Sequence, residues 1–173
     1  MKKIIVLCSV LLISNHILLA QNQASQIKQR AMKMATALSS LKLDEYVTYL
    51  HPSIINAQGG KEKIKQTQDS IYKYQKMFGV KISKILIGDV SKIENFNKQQ
   101  QASFPMTTFI ATPMGEMSTK TTIIALSDDN GKNWFFIDGM FYNSKVAMNK
   151  LPKLSPKIII APMEKPTLPK PKN

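Results

Sequence analysis

Cysteine is nearly missing from this chain: its 173 residues hold one, Cys8, inside an N-terminal apolar run. The rest of the sequence can close no disulfide, supplies no thiolate nucleophile and offers no sulfur to a metal. Histidine is almost as scarce, His16 and His51 being the two, so an imidazole metal site lacks partners, and no carboxylates stand at ligand spacing. Acids number 11 against 24 lysines and arginines, a formal charge of +13. No Gly-x-Ser-x-Gly elbow marks a serine nucleophile, and no recognition motif accompanies the basic residues, which argues against nucleic acid as a partner. The sequence therefore points to no catalytic set, no metal ligands and no cofactor.

What is present begins with Met1-Lys2-Lys3, an apolar run from Ile4 to Ile13, the weaker Ser14-Asn15-His16, and then Ile17-Leu18-Leu19-Ala20. A charged start, an apolar centre and a small residue before a polar stretch are the parts of a secretory signal. The run is too short and too interrupted to span about 30 Å of hydrocarbon. Residues 1–20 are thus read as a signal peptide cut after Ala20, and the product as soluble and exported, either periplasmic or secreted. A single domain is expected over 21–142, large enough for one ordinary core. Residues 143–173 form a Lys/Pro-rich tail, with seven lysines against Glu164 alone. Such a tail favours weak, salt-dependent contact with an anionic envelope surface. Within it Lys157-Ile158-Ile159-Ile160-Ala161 is too apolar to stay in water and reads as a docked extended edge segment.

Residues 24–41 carry a helical stripe, with Ile27, Ala31, Met34, Ala35, Leu38 and Leu41 on one face. Asp44 reads as the N-cap of a short helix, Glu45 to Leu50, which His51-Pro52 closes because a residue before proline avoids the α region. Gly59-Gly60 breaks the chain before a third helix, 61–77, whose apolar stripe is Ile64, Ile71, Tyr74 and Phe78. Strand formers then dominate at 80–87, 104–111 and 118–126. Asp128-Asp129-Asn130-Gly131 is a hairpin turn into a returning strand, 133–138. A helical turn or two is expected over 144–151. Helices first and hairpin-linked strands after predict an α+β domain with an antiparallel sheet. Helices sheltering the concave side of a curved sheet would make a cone with one open mouth.

That order of parts resembles the nuclear transport factor 2-like (cystatin-like cone) superfamily. The resemblance rests on the first amphipathic helix through Ala37-Leu38, the segment Asp44 to Pro52, Gly59-Gly60-Lys61-Glu62 opening the next helix, and the antiparallel run that follows. The ending, Asn133 to Asp138 with Leu151 to Lys157, is also similar to small exported proteins of Bacteroidetes-type bacteria. The resemblance covers about residues 24–160 and implies a fold and a pocket, without implying a reaction.

The candidate ligand-binding residues are Tyr46, Tyr49, His51, Tyr74, Phe109, Trp134, Phe136 and Asp138, with aromatic groups suited to an apolar or ring-bearing ligand. The competing readings are core filling for the aromatics and a local hydrogen bond at a helix end for His51. Three functions follow. The first is a non-enzymatic module binding a small hydrophobic ligand or a protein partner through the pocket, or pairing as a homodimer through the sheet face. The second is an isomerase- or cyclase-like enzyme using Asp89 or Asp138 with a tyrosine, since related cones work with a pocket aspartate. The third is an envelope-surface interaction protein acting through its basic tail.

Overall fold

The computed structural model describes residues 2–144, 149–164 and 166, with side chains from Gln21 onward. Four helices precede five strands: α1 (Lys2–Ser39), α2 (Leu43–Tyr46), α3 (Pro52–Ala57), α4 (Lys61–Met77), β1 (Lys81–Ile87), β2 (Glu94–Phe96), β3 (Gln99–Thr112), β4 (Gly115–Ser127) and β5 (Phe135–Asp138). Every pairing in the sheet is antiparallel, in the order β1-β3-β4-β5, with β2 on the same edge of β3 as β1. The fold class is therefore α+β, helices first and a curved antiparallel sheet after. No helix among the described residues is long and apolar enough to cross a membrane.

Two features bend the sheet. The β1–β3 register shifts between Ile82 and Lys84, a bulge that kinks the edge strand. Pro105 sits inside β3, where it has no N–H to give. Its carbonyl accepts from Gly88 N at 2.9 Å, just past the end of β1, so the proline sits where the β1–β3 ladder stops.

The concave face carries the main core. Ile27, Ala31 and Met34 recur at i, i+4 and i+7 on α1 and pack with Ala102, Phe104, Ile123, Ala125, Trp134 and Phe136. The alanines let the helix approach the sheet closely, and the Phe104 and Phe136 rings meet edge to face at 5.7 Å. On β4 the alternate residues Ile124 and Leu126 point to the opposite face. With Ile137 and Ile54 they form a second cluster, completed by Leu151, Leu154, Ile158 and Ile160 from the C-terminal segment.

That segment, 151–161, is a strap lying across the sheet's second face, and its stretch 157–161, expected as a docked extended edge segment, lies over that face. It makes no ladder and is held by side chains instead. Gln101, fully buried in β3, accepts from Ser155 N at 2.8 Å and donates to the Lys153 carbonyl at 3.0 Å. Thr122 Oγ1 accepts from Ala161 N at 3.1 Å. Ile159 points outward, 77% exposed.

Several local expectations change. Asp44 caps nothing: α2 starts at Leu43 after Lys42, with no side-chain cap, and the Asp44 carboxylate pairs with Lys65 at 2.7 Å. His51-Pro52 opens a helix, α3, with proline in its first turn and His51 as N-cap. The α4 stripe is buried only at Ile64, while Ile71, Tyr74 and Phe78 are exposed. The turn expected over 144–151 falls largely on residues outside those described.

Candidate functional site

A cavity of about 430 Å³ opens between α1, α4 and the concave face near β5. Its walls are Met34, Ala35 and Leu38 from α1, Ile64 and Ile71 from α4, Met106, Ile123 and Phe136 from the sheet, and Leu50 and Ile54 from the segment entering α3. Helical spacing explains the α1 contribution: Met34, Ala35 and Leu38 lie one turn apart on a single face. The α4 contribution is thin because that helix turns only Ile64 fully inward. The hollow survives where α4 supplies too little side chain to fill it. Its volume falls in the range of small-molecule sites, roughly 300–1,000 Å³.

Two ionisable groups line this apolar space, Tyr46 and Asp138. Asp138 ends β5 opposite Ile123, so its side chain shares the concave face with the core. Burial raises its proton affinity above the ordinary carboxylate range. The Met140 amide, donating to Oδ1 at 2.9 Å, opposes that rise. The Thr121 hydroxyl beside it works in the same sense while falling short of a full hydrogen bond. Tyr46 is pushed up to about 12, by burial first and then by the negative charge of Asp138. The phenol therefore keeps its proton at any physiological pH, available as a donor next to an acid in a low-dielectric wall.

Of the eight residues singled out from the sequence, Tyr46, Phe136 and Asp138 meet at this cavity. Tyr49 is buried in the α1–sheet core. Its hydroxyl donates to Glu45 Oε1 at 2.9 Å, and the Arg30 guanidinium lies 5.1 Å above its ring. Trp134 is buried in the same core. Tyr74 is exposed on α4 and stacks on Phe78 at 4.7 Å. Phe109 pairs with Ser118 in the β3–β4 ladder, with the Lys84 ammonium 5.9 Å over its ring. Asp89 is fully exposed and paired with Lys28 at 3.2 Å, outside the cavity walls.

His51 is buried and hydrogen-bonded locally through Nδ1, while its Nε2 has no hydrogen-bond partner among the described residues. Its Nδ1 accepts from Ser53 N at 3.2 Å and lies 2.8 Å from Ser53 Oγ. An accepting Nδ1 places the proton on Nε2, which stands 3.5 Å from Asp128 Oδ2. Serine, histidine and aspartate thus fall in a row. Nδ1 is occupied by a backbone amide, however, and the row faces the β4–β5 turn, away from the cavity. Burial lowers the affinity of His51 for a second proton, with Asp128 partly compensating.

Sequence reasoning overlooked the aliphatic walls. Leu38, Ile54, Ile64 and Ile123 line the space, and the amphipathic stripe of α1 already marked Met34, Ala35 and Leu38. Nothing in the sequence signals that Ile54 joins them, because α3 hides behind a His-Pro pair read as a stop. Comparison with protein-family models, with curated proteins and with solved structures finds no match to the chain.

Proposed function

We propose that this domain binds a small, mostly apolar molecule carrying one hydrogen-bonding group, and that it does so without transforming it. One observation carries the reading: a 430 Å³ mostly apolar cavity, edged by Gln58, Thr67 and Gln68, whose ionisable lining among the described residues is Asp138 and Tyr46. Apolar walls supply affinity through buried area, and a lone acid–phenol pair fixes orientation. The resemblance of the sequence to the nuclear transport factor 2-like cones supports the reading, since such a cone encloses a pocket. Export after removal of residues 1–20 belongs to the same proposal, resting on the charged start and apolar centre of that segment. A protein partner at the mouth or a homodimer through the sheet face would use surfaces outside the strap.

The test is a pair of probes, naphthalene and 2-naphthol, titrated by fluorescence. The hydroxyl is expected to strengthen binding about tenfold in the native protein, as a hydrogen bond to an acid does. Asp138→Leu should erase that difference, and Ala35→Phe, which fills the hollow, should weaken both probes at least about tenfold. Absence of binding, or equal binding by the filled variant, would overturn the proposal.

A second reading, an isomerase- or cyclase-like enzyme, is favoured by the same acid–phenol pair. An acid of raised proton affinity beside a protonated tyrosine suits proton abstraction next to a carbonyl. Solvent deuterium exchange into an unsaturated ketone, lost in Asp138→Asn, would establish it over simple binding.

A further inference from the structure

One end of the molecule exposes apolar side chains that no packing accounts for. Met77 is 69% exposed, Phe78 52% and Tyr74 63% at the α4–β1 corner, and Met114 is 78% exposed at the β3–β4 hairpin tip. The two tips adjoin: a Cβ on Gly79 would stand 3.3 Å from the Pro113 ring. The residues therefore form one patch rather than scattered exposures, and a contiguous patch of this kind marks a contact surface. Met and Phe at the very apex suit insertion into a yielding medium better than a rigid groove.

The charge around the apex is mostly positive. Lys76 precedes Met77, while Lys81 and Lys84 lie on β1, directly after the corner, and all three are exposed. Lys73 is paired with Asp69 at 2.7 Å. Glu116, next to the hairpin tip, accepts from Ser83 Oγ at 2.8 Å. Lys76, Lys81 and Lys84 form no ion pair among the described residues, so positive charge outweighs Glu116 around the apolar tip. A second copy of the chain would bring the same lysines against them, which disfavours self-association through this face.

We propose that this apex, formed by Tyr74, Met77, Phe78 and Met114 and ringed by Lys76, Lys81 and Lys84, docks on an anionic lipid bilayer. Lysines within a Debye length of the headgroups draw the protein in, and the apolar side chains enter the headgroup–acyl boundary. The proposal stands apart from the cavity reading, although Ile71 lines both the cavity and the groove beneath Tyr74 and Phe78. It also differs from contact through the basic tail, and the test separates the two.

The experiment uses the full chain with Cys8→Ser and Met114→Cys, labelled at position 114 with an environment-sensitive fluorophore. Vesicles of phosphatidylcholine with 30% phosphatidylglycerol carry a nitroxide quencher in the upper acyl chain (about a third of the lipids anionic, a common surface charge). Label at position 114 should be quenched at low salt and released at high salt or on pure phosphatidylcholine. Label at Lys132→Cys, beyond the far end of β4 and about 40 Å away along that strand, should stay unquenched. Substituting Lys76, Lys81 and Lys84 with glutamine should weaken quenching on the order of 100-fold. Three results would overturn the proposal: no quenching at position 114 when the protein floats with the vesicles; quenching unchanged by the lysine substitutions; or binding that disappears only on deletion of residues 162–173. Loss of a solution dimer in Phe78→Ser with Met114→Ser, without vesicle binding by the native chain, would assign the patch to self-association instead.

Discussion

Gln101 offers the sharpest check on how the C-terminal strap is held. It is a polar side chain at 0% exposure, and such groups are rare unless their hydrogen bonds are complete. Here they are: Oε1 takes the Ser155 amide at 2.8 Å, and Nε2 serves the Lys153 carbonyl at 3.0 Å and Gln99 Oε1 at 3.2 Å. Gln101→Met keeps the volume and removes all three bonds. Lys153 is exposed, so its carbonyl can turn to water, and Gln99 is only half-buried, so its Oε1 can do the same. Ser155 is buried, so its amide is left orphaned, which costs about 1–3 kcal/mol. The net expectation is destabilisation of about 2 kcal/mol, a fall of roughly 4–8 °C in Tm for a chain of this size.

Urea unfolding and hydrogen exchange together read this outcome. With a typical urea slope, about 2 kcal/mol moves the midpoint by on the order of 1 M, and the amides of 155–161 should lose protection ahead of those in β4. Gln101→Glu should be worse, because a buried acid would face two carbonyl-type oxygens that now receive a donated proton. A midpoint for Gln101→Met within about 0.2 M of the native one would refute the reasoning. It would mean that the aliphatic contacts of Leu151, Leu154 and Ile160 alone secure the strap, or that the strap lies elsewhere in solution.

Two further perturbations test other joints of the fold. Because burial depresses the proton affinity of His51 below its unfolded value, the unfolded chain binds the extra proton more readily. The native protein should therefore hold this contribution above about pH 6.5 and lose it as pH falls through the lower folded value, at no more than about 1.4 kcal/mol per pH unit. Urea midpoints from pH 7.5 to 5 should show that slope, and His51→Asn, which keeps an N-cap acceptor, should flatten it. Gly139→Ala would place a Cβ 2.8 Å from the Thr122 carbonyl and 2.9 Å from Ile160 Cγ2, so it should dislodge the 158–161 stretch. Limited proteolysis should then cut near Ile159 sooner than in the native protein, and an unchanged cleavage rate would count against that contact.

How much of this was legible in the sequence depends on whether the governing signal was local. The α1 stripe from Ile27 to Leu38, the Gly59-Gly60 break before α4 and the Asn130-Gly131 turn are short-range patterns, and each appears where the pattern places it. Leu41, expected on the same helix, instead falls past its end at Ser39 with a left-handed backbone. The lengths of β3 and β4 were underestimated because Gln99–Ser103 and Gly115–Ser118 are polar and lack strand propensity on their own. Pairing recruits them, since each is opposite a residue of the neighbouring strand in an unbroken ladder. His51-Pro52 reads as an end, and the helical run does stop at Tyr49 before it, but the pair is also a beginning: proline disfavours helix before itself and favours it immediately after. The site divides in the same way. Asp138 and Tyr46 were recognisable as chemistry-bearing residues, but their meeting depends on a β5–β4 register and a helix packing that no local pattern encodes.

The exposed half of the α4 stripe links what was misjudged to what the molecule offers. An amphipathic pattern says that one face of a helix avoids water, and it does not say how much partner surface the chain can bring to it. Here Ile64 is buried, a hollow lies by Ile71, and Tyr74 and Phe78 stand exposed over a shallow groove. The same shortfall therefore produces the cavity at one point along the helix and the bare apex a turn or two further on. Substituting Thr67, which lines the cavity from α4, with leucine would narrow the hollow and leave the apex untouched. Cavity and apex share one origin in the geometry of α4, yet each can be removed without the other, and the two proposed activities stand or fall separately.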